Sequence, residues 1–152
     1  MHQGPYARKV VHRAGMDGCK TVSTPAVPGR KYTKADAPAD LAEVQQLERE
    51  GLSATWYKST AASANFLRTM TRLDVAYAQG KIAKACSSPG REHFLALKHL
   101  VRFIAGTLDY GIKFELGATD KDPPDGPLTI TCFSDSSFAD DLDTGKSTVG
   151  EA

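Results

Sequence analysis

The chain has 152 residues, 41% hydrophobic and 24% charged, an ordinary globular composition with room for one modest domain and a piece of another. No apolar run approaches the roughly 18–20 residues of a membrane span, the first residues lack the apolar core of a secretory signal, and Cys19, Cys86 and Cys132 are too few and too scattered for a disulfide framework. The net charge of +1 conceals a division: residues 1–113 hold 17 Lys/Arg against 9 Asp/Glu, and residues 114–152 hold 2 against 9.

Pro5 to Ala14 reads as a short helix, because proline suits a first turn whose N–H groups have no partner. Tyr6, Val10 and Ala14 recur at four-residue spacing, and Gly15 offers a stop. Residues 17–39 show no sustained period and are punctuated by Pro25, Pro28, Gly29 and Pro38, which predicts a loop or tether. Asp40 with Glu43 forms a capping-box pattern opening a helix that Gly51 ends. A second helix begins near Ser53, with Trp56, Thr60, Ser63, Leu67 and Met70 at helical spacing. The small residues Ser59 to Ala64 at its centre let another helix approach closely. Thr71 and Asp74 repeat the capping-box spacing before a third helix that buries Val75, Ala78 and Ile82.

The segment Arg91–Thr107 carries the sharpest signal. At about 100° per residue, Phe94, Leu97, Leu100, Val101 and Ile104 share one broad face, and Arg91, Lys98 and Arg102 share a narrow arc opposite. Beyond it the period changes to two. Ile112, Phe114 and Leu116 alternate with charged residues, and Leu128, Ile130 and Cys132 alternate with Thr129, Thr131 and Phe133. These predict two strands joined by an acidic, Pro/Gly-rich connection.

Three blocks in this order resemble the Pol polyprotein of copia-type LTR retrotransposons. The first runs from Gln3 and Tyr6 through Gly15 and Met16 to Thr21, Val22, Thr24 and Pro25. The second comprises Tyr57, Lys58 and Ser59, then Thr71, Arg72 and Asp74, then Ser88 and Pro89, Glu92 and His93, Lys98, and Arg102 to Thr107. The third comprises Ser134 and Asp135 to Asp141, then Lys146 to Gly150. Leu73 stands where the family pattern has proline, and Ser137 where it has a second aspartate. The resemblance implies a mainly α chain with a small β part. Residues 1–116 would be the helical thumb and connection bundle of a reverse transcriptase, with 17–39 as its tether. Residues 117–152 would be the truncated N-terminal start of a ribonuclease H-like domain, so that the helical bundle is followed by two strands of an incomplete domain of that kind. It implies as partners an RNA–DNA or DNA duplex and the palm and ribonuclease H parts that this segment lacks.

The chemistry expected follows from what is present. No palm Tyr-x-Asp-Asp turn occurs. Asp135 matches the first ribonuclease H carboxylate, and so is the one candidate catalytic and metal-binding residue. Two hard dications demand about six oxygens each, so the chain alone is expected to hold no cofactor and to be inactive, with Mg²⁺ implied for the whole enzyme. Asp140, Asp141 and Asp143 read as a solvated acidic loop. Arg91, Lys98 and Arg102 are the candidate nucleic-acid-binding residues, since cationic side chains neutralise backbone phosphates. His93 reads as a packed or capping histidine, and Trp56 and Tyr57 as core. A cytoplasmic or nuclear protein is expected. A free-standing helical module for nucleic-acid or protein contacts, derived from a retrotransposon remnant, is the alternative.

Overall fold

The computed structural model describes residues 1–113, 134–137 and 144–151, and the chain divides into two units, Met1–Ile112 and Lys113–Ala152. The first unit holds α1 (Gly4–Arg13), α2 (Leu41–Arg49), α3 (Ala54–Met70), α4 (Ala76–Lys84) and α5 (Arg91–Gly106), with 3₁₀ turns at Lys34–Asp36 and Leu73–Val75. The chain is mainly helical. In the second unit β1 (Ser134–Ser137) and β2 (Thr148–Glu151) pair antiparallel, Asp135 opposite Gly150. Of the two predicted strands, residues 114–116 and 128–133 lie outside the described residues.

Local chemistry accounts for the helix ends. α1 stops where Gly15 turns left-handed at φ 68°, so that its N–H reaches the His12 carbonyl and the Met16 N–H reaches Val11. Gly51 does the same for α2 at φ 79°, with the Leu52 N–H on the Leu47 carbonyl and both leucines buried. Each is the double hydrogen bond that satisfies carbonyls otherwise orphaned at a helix end. At the start of α2 the Asp40 carboxylate accepts from the Glu43 N–H at 2.8 Å; the Glu43 side chain reaches the Ala39 N–H rather than that of Asp40.

One predicted cap does not form. Thr71 closes α3 instead of opening α4, and its hydroxyl donates to the Gln3 side chain, 68 residues away. Asp74 is taken by Arg72.

The core is organised around α5. Phe94, Leu97, Leu100, Val101 and Ile104 are buried, as the wheel predicts, together with His93, Ala96 and Phe103. The buried arc is wider than the apolar stripe because residues 17–39 do not hang as a tether; they lie along α5 as a strap. Thr21 packs against Gly106, Tyr32 stacks at a tilt 5.6 Å from His93, and the Asp36 carbonyl sits where a side chain on residue 90 would be. Gly90 is needed for that approach.

α3 turns Tyr57, Thr60, Ala61, Ala64 and Leu67 inward, about one residue off the predicted face, leaving Met70 exposed at the helix end. The small side chains let α4 come close enough for the Gln79 amide to donate to the Ala61 carbonyl at 2.8 Å, and the Tyr57 hydroxyl reaches the Ile82 carbonyl at 2.9 Å. The indole of Trp56 donates to the Ala14 carbonyl at 3.3 Å, tying α3 to the end of α1.

Candidate nucleic-acid interface

Arg91, Lys98 and Arg102 do share one side of α5, with exposed Leu95 between them. Each is held by a different part of the chain. The Arg91 guanidinium pairs with Glu50 at the end of α2, at 2.5 Å. That carboxyl is kept below the usual carboxylate range, first by the Gln46 side-chain amide and then by Arg91. Both partners face water, where such a pair contributes little to stability; it fixes position.

Lys98 stands with its ammonium 6.0 Å from the Trp56 ring centre, at the outer edge of a cation–π contact. Arg102 gives its Nε–H to the Lys20 carbonyl at 2.6 Å, while its terminal nitrogens have no partner among the described residues. The cationic stripe is therefore present, half-exposed and largely pre-positioned, with Arg91 the most committed of the three.

His93 caps α5. Its Nδ1 accepts from the Gly90 N–H at 3.0 Å, which requires the ring proton to sit on Nε2. Burial lowers its pKa below the ordinary imidazole value; Asp36 and Glu92 oppose that shift and Arg30 adds to it. The unfolded chain then binds a proton in a pH window where the folded chain does not. Stability contributed by His93 is full above about pH 6.5 and is lost as pH falls through the lower folded value. Thermal melts should show wild type losing stability between pH 7 and 5 more steeply than His93→Gln, whose side-chain oxygen still accepts from Gly90. Parallel profiles would remove His93 as the cause.

Arg72 was not singled out by the sequence. It is 1% exposed, lying in the turn between α3 and α4. Its guanidinium forks onto Asp74 at 2.8 Å through Nε and Nη2. It also donates to the Thr107 carbonyl at 2.9 Å and the Thr107 hydroxyl at 2.7 Å. The rings of Phe103 and Tyr110 flank it at 5.6 and 5.5 Å. The only available signal was the motif itself: Thr71-Arg72-x-Asp74 and Gly106-Thr107, 35 residues apart, are one cluster in space. Leu73, at the family's proline position, is 64% exposed and takes no part in it.

Asp135 lies in β1, and Asp140, Asp141 and Asp143 lie outside the described residues. Among the described residues no group of three or more His, Cys, Asp or Glu is arranged to hold a metal ion, and no helix is long and apolar enough to cross a membrane.

The chain as a whole is similar in sequence to known proteins. Across 99% of its length the chain is 29% identical to the retrovirus-related Pol polyprotein of transposon TNT 1-94 from Nicotiana tabacum, covering 10% of that protein. It is 28% identical, again over 99% of its length, to the Pol polyprotein of transposon RE1 from Arabidopsis thaliana, covering 9% of it. An uncharacterized mitochondrial protein of Arabidopsis thaliana is 26% identical over 99% of the chain, which spans 54% of that relative. No family model matches the chain, and no solved structure matches it. Over nearly its whole length the chain is thus similar to a segment of retrotransposon Pol polyproteins. More narrowly, the Pol polyproteins it resembles are those of copia-type transposons, and the chain spans about a tenth of their length.

Proposed function

We propose that the chain is the part of a copia-type Pol polyprotein that follows the reverse-transcriptase palm and runs into ribonuclease H, and that its helical unit contacts the template–primer duplex. The order and spacing of the three motif blocks support the first part. One observation carries the second: Lys98 and Arg102 lie one turn apart, about 6 Å along the axis, on the accessible side of a helix whose opposite side is wholly buried. A helix fixed so firmly keeps these two cations in register and need not itself fold on binding. The +8 balance of residues 1–113 adds a long-range field that favours a polyanion.

Binding of this kind reads no sequence and weakens with salt as counterions are released. In the full chain, Lys98→Glu with Arg102→Glu is expected to weaken binding of an RNA–DNA hybrid at low salt. The slope of log affinity against log salt should fall by about two. Unchanged affinity with an unchanged circular-dichroism spectrum would remove α5 from the interface.

For ribonuclease H chemistry the chain offers Asp135 as a first carboxylate. A single carboxylate does not meet the oxygen demand of paired dications, so no catalytic step is assigned to this chain, and activity would need the remainder of the polyprotein. A second reading, a free-standing binding module, draws on the mitochondrial relative: this sequence region also occurs in a protein of which it makes up more than half. A stably expressed chain of this length that binds the hybrid without the rest of the polyprotein would favour it.

A further inference from the structure

The strap crosses α5 on the side next to the cationic stripe, and it does so with main-chain oxygens. The Lys20 carbonyl accepts from Arg102 Nε at 2.6 Å, and the Thr24 carbonyl is 2.9 Å from His99 Nε2. A carbonyl only accepts, so that ring nitrogen carries the hydrogen. His99 and Arg102 are three residues apart on the helix and therefore neighbours on its surface.

We propose that residues Lys20–Thr24 are a displaceable cover over a further pair of phosphate donors, His99 and Arg102, and that the phosphodiester backbone of a bound duplex takes the positions their carbonyl oxygens now hold. This rests on the duplex-binding role of α5 and names how that face is gated, adding His99 to it.

Three features support the cover. Lys20, Thr21, Ser23 and Thr24 are exposed, and only Val22 packs against the core, so the segment contributes little to folding. Among the described residues none of the amide N–H groups from Lys20 to Thr24 finds a partner; the segment is held by its acceptors. An open depression of about 830 Å³, lined by Thr24, His99, Phe103, Gly106 and Tyr110 among others, adjoins the strap and leaves room for it to shift. A charged phosphate oxygen accepts from Arg and His more strongly than a neutral carbonyl does, so the exchange runs toward nucleic acid.

The contact between strap and helix supplies its own test. A Cβ on Gly106 would lie 3.0 Å from the Thr21 Cβ, close to the separation of roughly 3.5–4.5 Å spanned by a disulfide. Thr21→Cys with Gly106→Cys, made in a full chain with Cys19, Cys86 and Cys132 replaced by serine, would lock the strap when oxidised. An RNA–DNA hybrid is expected to bind the oxidised form at least about tenfold more weakly than the reduced form. Equal binding by the two forms, with Lys98→Glu/Arg102→Glu still weakening both, overturns the cover and leaves the interface standing. No binding by either form, or by wild type, overturns the interface itself. Should the locked variant not fold, tryptic cleavage of wild type after Lys20 gives an independent reading. Hybrid should accelerate it, and unchanged or slower cleavage overturns the proposal.

Discussion

Arg72→Met is expected to cost the helical unit about 3 kcal/mol, a large share of the 5–15 kcal/mol that holds an ordinary domain together. Removing one member of a buried ion pair costs roughly 3–5 kcal/mol, because the other is left without its partner. Two considerations set where in that range the result falls. Asp74 keeps 36% of its side chain in water, so its carboxylate rehydrates and the Coulomb loss is partly recovered. The Thr107 carbonyl and hydroxyl, by contrast, lose two short donors, and Phe103 and Tyr110 lose the plane between them. The lower end is therefore expected. At roughly 4–8 °C per kcal/mol for a unit of this size, melting by circular dichroism should fall by well over 10 °C. Arg72→Lys should recover little, since an ammonium does not reproduce a planar fork that serves a carboxylate and a carbonyl together. A loss under 1 kcal/mol would show that the cluster is incidental.

Phe94→Ala is expected to be at least as damaging, at about 3–5 kcal/mol. The ring is 1% exposed, stacks on Trp56 at 6.2 Å and meets the edge of Tyr57 at 5.2 Å. It also borders a recess of about 90 Å³ lined by Leu47, Leu52 and Pro89 among others. Truncation would join the vacated volume to that recess, which three separate segments frame, so little collapse is expected and the upper half of the range applies. Trp56 is the sole tryptophan, so its fluorescence during urea unfolding reports the loss directly. Phe94→Leu, which keeps most of the volume, should cost far less. Equal costs for the two would mean that the aromatic contacts, not the cavity, dominate.

The helices were legible because their determinants are local. Gly15, Gly51, Asp40 and Ser53 mark ends through their own φ angle or their own side-chain oxygen, and the apolar face of α5 follows from its period. What could not be read was long-range and mostly main-chain. Nothing in the spacing of Lys20, Thr24 and Asp36 tells that their carbonyls meet Arg102, His99 and the backbone of Gly90. The Thr71–Asp74 spacing misled for a related reason: both side chains have better partners than the local amides. Arg72 escaped notice because a cation in a turn is ordinarily solvated, and its burial depends on Thr107 arriving from another helix. For the interface, the three cations were legible as a stripe, but their partners Glu50, Trp56 and Lys20 were not.

The ends of the helical unit meet. The Met1 nitrogen donates to the Ile112 carbonyl at 2.6 Å, the Ile112 N–H returns to Met1 at 2.8 Å, His2 bridges Gly111, and Arg8 approaches Asp109 at 3.7 Å. The first bond needs only an N–H, which a peptide amide supplies as well as an ammonium. In a longer polypeptide the chain would therefore enter and leave this bundle at one point, as a closed loop hung from a through-running backbone. Such a seam is the place where circular permutation disturbs a fold least.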